Sequence, residues 1–304
     1  RQPDTRAPAA APLFAGLATE ATPKPLGGLL HARGANKKTL GLAVGDAFYE
    51  MGPDLVLRPS DEPGAATWMQ TNVAIPRDAV ALDAASVIYT DEQNRRWRLP
   101  RGRADYALAA PARTVREVCT ERDLLNAGGT FFELPAENAG GIAKVRALTT
   151  HNRRIHDYAT WRGLFVMTGL AADAPATNAH ILRSADGQAA VWAGAVDDLW
   201  RLGKPVGVGG PWKDTAVVAG APSDPYLLTG YDRKELALSH TGTTPVRIRV
   251  EVDLTGTGQW VNYRTFEVPA GQTVTHAFPA AYQAYWLRTV AESPTTATAW
   301  LTYN

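Results

Sequence analysis

The sequence predicts an all-β protein, and three observations carry that prediction. Apolar and polar residues alternate over short spans, the period-two signature of half-buried strands. Gly, Pro, Asn and Asp interrupt the chain at short intervals, and few stretches carry a helical apolar period. A hairpin pattern also recurs, in which an aspartate-bearing turn is followed by a tryptophan.

The alternation is clearest in "VRIRVEVDL" (246–254), with Val246, Ile248, Val250, Val252 and Leu254 on one face and Arg247, Arg249, Glu251 and Asp253 on the other. "PYLLTGY", "ELALSH", "NYRTFEV", "YWLRTVAE" and "TATAWLTY" continue the pattern toward the C-terminus, whereas residues 1–60 show weaker strand patterns. Asp91 stands six residues before Trp97, Asp186 six before Trp192, and Asp253 seven before Trp260. In each case a strand enters a turn rich in Asp, Gly or Asn, and an aromatic anchors the returning strand. "WRLPRG", "FFELPAE" and "TFEVPAG" form a second echo. Repeated hairpins point to a β-propeller with four-stranded blades, and a β-sandwich pair is the rival architecture.

The segment "RSADGQAAVW" (183–192) resembles the Asp-box hairpin of sialidase-like β-propellers. Ser184, Asp186, Gly187 and Trp192 supply its residue types, although the glycine follows the aspartate directly rather than one residue later. The run from about residue 115 to 304 looks like secreted bacterial β-propeller proteins of glycan breakdown. That resemblance implies a carbohydrate partner and a secreted or periplasmic location. The Asp box stabilises a turn, so it implies no particular reaction.

Composition narrows the classes further. The chain has 304 residues, 45% apolar and 20% charged, which suits a folded domain. No run approaches the length of a membrane span. A net charge of +1 gives no global field for nucleic acid, and no recognition motif for it appears. Cys119 is the sole cysteine, which rules out an internal disulfide and a thiolate metal cage. A Pro/Ala-rich lead over 1–25, starting "RQPDTRAPAAAPLF", reads as what remains after a processed or missing upstream segment, with a single propeller-like domain over 26–304.

Candidate chemistry concentrates in "LTTHNRRIHDYATWRG" (148–163). Hydrolysis of a glycosidic bond needs two carboxyl groups flanking it. Elimination from a uronic acid needs a cation for the substrate carboxylate, a base and a proton donor. Histidine is the natural base and arginine grips a carboxylate in a fork. His151, Arg153, Arg154, His156, Asp157 and Tyr158 hold these group types close together, and Trp161 offers a stacking face. In an extended chain, however, the two histidines point to opposite faces. The bland alternative is a crowded polar strand end with Arg154 and Asp157 as local partners.

A metal through His151 and His156 does not match the i, i+4 spacing of helical zinc sites, although Asp-rich turns are compatible with a structural calcium. "AVDDLWRLGKPVGVGGPWKDT" (195–215) reads as a glycine-rich loop facing ligand, with Asp197, Asp198, Trp200, Trp212 and Lys213 as its candidates. Glu133 and Glu137, beside Gly-Gly turns, are further candidate carboxylates. "RRWRLPRGR" places Trp97 and Leu99 inward and Arg96 and Arg98 outward on a solvated face, or on an anion-binding stripe. The functional expectation is a glycoside hydrolase. A polysaccharide lyase on an acidic glycan, a non-catalytic carbohydrate-binding propeller and an interaction domain are the alternatives.

Overall fold

The computed structural model of the chain describes residues 12–73, 80–103, 115–119 and 122–304. Residues 1–11 of the Pro/Ala-rich lead lie outside the described residues. The architecture is nearly all β, with one α-helix among the described residues, Ala65–Asn72. Two compact units divide the chain. Unit 1 comprises Arg1–Arg77, Ala107–Gly129 and His151–Lys204, and unit 2 comprises Asp78–Tyr106, Thr130–Thr150 and Pro205–Asn304.

Unit 1 begins with a four-stranded antiparallel sheet of Leu29–Arg33, Thr39–Val44, Ala47–Met51 and Leu57–Pro59, each strand beside the next. This corrects the expectation of weak strand character before residue 60. The strands are written in Leu, Gly and Ala rather than β-branched residues, so their propensity signal is low. Burial on both faces holds them together. Leu30, Leu40, Leu42, Tyr49, Met51 and Leu57 share one core with Ala159, Trp161, Val166 and Val191. On the opposite face Leu29, Ala43 and Phe48 pack against Ala65, Ala66 and Met69 of the helix.

A second sheet of unit 1 orders its strands Tyr158–Trp161, Leu164–Met167, Ala190–Gly194 and Ile181–Arg183. Its first hairpin turns on Arg162 and Gly163, both at positive φ (50° and 83°), as a two-residue primed turn requires. A third element is the hairpin of Val115–Cys119 with Arg122–Ala127.

The described part of the lead is integral to unit 1. Phe14 is buried and its ring stacks 5.2 Å from that of Trp192, whose indole N–H donates to the Leu13 carbonyl at 2.9 Å. Leu17 and Leu26 both bridge to Leu170, and the Arg154 N–H donates to the Ala18 carbonyl. Between these contacts lies Gly169, at φ +103°, where a Cβ would stand 2.1 Å from the Arg154 carbonyl oxygen. Gly169→Ala is therefore expected to cost at least about 2 kcal/mol, from left-handed strain plus displaced backbone. A shift of the urea midpoint at constant m-value measures it.

Unit 2 packs a four-stranded sheet against a seven-stranded one. The four-stranded sheet runs Gly207–Val217, Thr295–Tyr303, Lys234–His240, Val274–Ala277. The seven-stranded sheet includes Trp260–Val268, Val246–Asp253, Trp286–Ala291 and the strands between Val80 and Leu99. Tyr303 of the smaller sheet lies against Tyr226 and Tyr231, and its hydroxyl donates to the Leu227 carbonyl at 2.6 Å. The 246–253 strand buries Val246, Ile248, Val250 and Val252, as alternation dictates. Leu254 departs from that pattern: it is 51% exposed, because the strand ends at Asp253 and the chain turns.

Two further expectations are corrected in unit 2. Arg98 does not face solvent but is 7% exposed, donating to Asp224, Asp83 and Ser86. Arg101 is likewise buried, with a guanidinium N–H on the Asp83 carbonyl. A guanidinium can be buried at a strand position when carboxylates meet its fork, and period-two reading does not see those partners. The stretch 195–215 is not one glycine-rich loop either. Val196–Leu202 is a 3-10 helix in unit 1, and Gly207–Val217 is a long strand of unit 2 paired with Thr295–Tyr303.

The recurring aspartate turns are real, but they are not copies of one another. Asp91 accepts the N–H groups of Gln93 and Arg95 and the indole N–H of its own Trp97. Asp253 accepts from Thr255, Gly256 and Gly258. Asp186 accepts from Ser184 Oγ, from Gln188 N–H and, through its second oxygen, from the Tyr49 hydroxyl at 3.0 Å. In that third hairpin the carboxylate ties the 181–194 strands to the first sheet.

Candidate functional site

The segment 151–158 is a crowded corner because four parts of unit 1 bond to it. Asn152 adopts φ +48°, which breaks the extended run after His151. The N–H groups of His151 and Asn152 both donate to the Gly129 carbonyl, Arg154 N–H to Ala18, and His156 N–H to Thr168. These bonds anchor the corner to the turn after Arg122–Ala127, to the lead and to the residue that follows Leu164–Met167. The Arg154 guanidinium reaches the Thr22 carbonyl at 3.1 Å.

The two histidines do not meet on a common partner. His151 is 5% exposed, and its Nδ1 accepts the Arg153 N–H at 2.9 Å. Nε2 then carries the proton and donates to Asn126 Oδ1 at 3.0 Å. Nδ1 of His156 lies within hydrogen-bond distance of both the N–H and the carbonyl of Gly28. Burial, assisted by the Arg153 charge, pushes His151 down to about 3.

That depression makes acid stability a test of the His151 environment. The folded value lies below the unfolded value of about 6.5, so the contribution is complete above pH 6.5 and is lost as pH falls toward 3. Between pH 6.5 and 5 the loss is about 2 kcal/mol. His151→Asn, which keeps an acceptor near the Nδ1 position, is expected to flatten that part of the profile in urea unfolding.

Asp157 is fully buried and replaces a strand neighbour. Leu29–Arg33 is an edge strand, and Asp157 Oδ2 accepts its Leu30 N–H at 2.7 Å. Oδ1 accepts the Tyr158 N–H at 2.7 Å. The Arg116 guanidinium donates to the Leu30 carbonyl at 2.9 Å and stands 3.4 Å from Asp157 Oδ2. Carboxylate and guanidinium together satisfy the backbone of the free edge, so the charge partner of Asp157 is Arg116 rather than Arg154.

The other sequence candidates are dispersed. Tyr158 is fully buried, its hydroxyl on the Leu124 carbonyl at 2.5 Å. Trp161 is 2% exposed, and its indole N–H holds the Lys37 carbonyl at 2.9 Å. Asp198 accepts the Ala195 N–H at the start of its 3-10 helix, with Asp197 and Trp200 exposed beside it. Glu133 and Glu137 belong to unit 2, where Glu133 pairs with Arg146 at 2.5 Å. Trp212 is buried in unit 2, and Lys213 points toward Asp214 and Trp300.

Unit 1 instead opens a cavity of about 370 Å³ lined by His31, Ala32, Lys37, Arg116, Glu117, Val118 and Thr160. Three strands, each the first of its sheet or hairpin, supply most of this wall, Leu29–Arg33, Val115–Cys119 and Tyr158–Trp161, and Lys37 comes from the 3-10 turn Ala35–Lys37. Several predicted residues stand immediately behind it, with Asp157 fixing Arg116 and Trp161 fixing the backbone of Lys37. Glu117 lies directly across the hairpin from Asp123. Cross-strand partners share a face with Cβ atoms about 4.5–5.5 Å apart. Burial and the neighbouring Glu117 raise the Asp123 carboxyl above the usual aspartate value.

Sequence reasoning missed His31, Lys37, Arg116, Glu117 and Asp123. A signal existed in "REVCTERD" (116–123), where charged residues of both signs crowd a short stretch. Nothing in "LLHAR" (29–33) distinguished His31 from an ordinary strand histidine. Among the described residues, no group of three or more His, Cys, Asp or Glu is arranged to hold a metal ion. None of the described helices is long and apolar enough to cross a membrane.

No protein-family model matches the sequence, and no curated protein matches it. Among solved structures, the exo-β-1,3-galactanase of Phanerochaete chrysosporium with galactose aligns over 95% of this chain and 99% of its own, at 9% identity and a TM-score of 0.26. A family 43 arabinoxylan arabinofuranohydrolase from Bacillus subtilis, in complex with cellotetraose, aligns over 94% and 79%, at 8% identity and a TM-score of 0.20. PirA aligns over 33% of this chain and 84% of its own, at 13% identity and a TM-score of 0.19. Superpositions at this level do not establish a common fold.

Proposed function

We propose that the chain is an exported carbohydrate-active enzyme that hydrolyses acidic glycans at the cavity of unit 1. The observation that carries this reading is the composition of one wall. Glu117 lines the cavity with His31, Lys37 and Arg116, and Asp123, its partner across the hairpin, stands behind that wall with its carboxyl raised. Glu117 supplies a carboxylate at the cavity for glycoside cleavage, and the neighbouring Asp123, with its pKa raised, couples to it across the hairpin. Glu117 is the carboxylate that meets the sugar. The Asp123 carboxyl is raised by burial and by the neighbouring Glu117. Lys37 and Arg116 neutralise an acidic substituent on the substrate, which sets the partner class.

In the same reading, the sheets of unit 1 are propeller blades whose first strands face a shared centre. The cavity supports it, because three first strands reach one opening. The Ser184–Asp186 turn supports it as well, with the hydrogen bonds an Asp-box hairpin needs.

A second reading is elimination from a uronic acid, favoured by His31 beside Lys37 and Arg116. The base would remove the proton next to the carboxylate, the glycosidic C–O bond would break, and a double bond would remain in the product. Incubation with uronate oligosaccharides separates the readings. Hydrolysis releases reducing ends without new ultraviolet absorbance, and elimination produces both. Saccharide binding with neither product would identify a non-catalytic binding module.

A further inference from the structure

The helix Ala65–Asn72 presents an indole to solvent beside the cavity. Ala65, Ala66, Met69 and the following Val73 are buried against the first sheet, whereas Trp68 lies off that stripe and is 49% exposed. Its ring sits 5.4 Å from that of His31, with the planes tilted by 50°. His31 also lines the cavity, so it forms the step between the cavity wall and Trp68. On this strand His31 shares its face with Leu29, which packs on the same helix. The backbone of both elements therefore fixes the pairing of His31 with Trp68.

Leaving a large ring half exposed forgoes burial that a helix of this length could use. Lone exposed apolar residues are common; the position of this one, against a residue of the polar cavity, gives it a ligand-facing role. A sugar ring is amphipathic in the matching sense. Its C–H face lies flat on an indole, while its hydroxyls remain in water.

We infer that Trp68 is a stacking platform for a second sugar residue of a chain whose first residue occupies the cavity. The ligand class is thus an oligosaccharide or polysaccharide, bound with one residue over Trp68 and its neighbour among His31, Lys37, Arg116 and Glu117. This inference rests on the proposed glycan-cleaving role of the cavity. Trp68 binds substrate without taking part in the bond change, so its loss affects affinity for longer chains rather than the chemical step.

Calorimetry tests this with the full chain carrying Glu117→Gln, titrated with galacturonic acid and with its oligomers of two and three residues. Affinity is expected to rise about tenfold once a residue reaches Trp68. The added change Trp68→Ala is expected to remove that increment and leave the affinity for the shortest ligand unchanged, and Trp68→Phe to restore part of it. Equal affinities for all lengths with and without the indole would overturn the platform while leaving the cavity reading intact. No binding of any saccharide by the Glu117→Gln protein would overturn both.

Discussion

Replacing Asp157 with asparagine lowers the thermal midpoint by roughly 6–12 °C, although the side chain keeps its shape. Both carboxylate oxygens accept backbone N–H groups, Oδ1 from Tyr158 and Oδ2 from Leu30. An amide has one oxygen and one NH₂, so either rotamer turns a donor onto a donor. Arg116 loses its charge partner in the same step. Leaving buried groups unpaired in this way costs about 3 kcal/mol or more. Differential scanning calorimetry on the purified chain measures it. Unchanged stability would show that the edge of Leu29–Arg33 does not depend on this carboxylate.

Replacing Glu117 with glutamine lowers turnover of an acidic oligosaccharide by about 10²–10⁴-fold, the range that acid–base groups contribute. Glu117 is exposed on its hairpin, so stability is expected to stay within about 0.5 kcal/mol. The pH profile supplies a separate readout. Burial and Glu117 favour the protonated Asp123 carboxyl, so its proton persists to higher pH than in an ordinary aspartate. Activity is then lost on the alkaline side as that proton leaves. Asp123→Asn is expected to remove the alkaline limb. A profile unchanged by Asp123→Asn would contradict the pairing.

The contrast between these two carboxylates shows what the sequence made legible. Strand alternation over 246–253 and the aspartate turns at 91, 186 and 253 are local patterns, and they appear in the structure as hairpins. The crowding at 148–163 was legible too, because hub residues and site residues draw on the same polar types. What separates them is burial and partner identity, which depend on segments far away in sequence. Asp157 is claimed by Leu30 and Arg116, and Trp161 by the carbonyl of Lys37. The cavity wall is assembled from residues near 31, 117 and 160, and no local spacing announces such an assembly. Arg98 carries the same lesson in unit 2, where Asp83 and Asp224 convert an apparent surface residue into a buried one.

The most direct measurement is reducing-end release from a uronate oligosaccharide by the native chain and by Glu117→Gln at equal concentrations of folded protein. The account predicts release by the native chain, without new ultraviolet absorbance, and a fall of at least about a hundredfold in the variant. Equal rates in the two proteins, or no release by the native chain from any acidic saccharide, would contradict it.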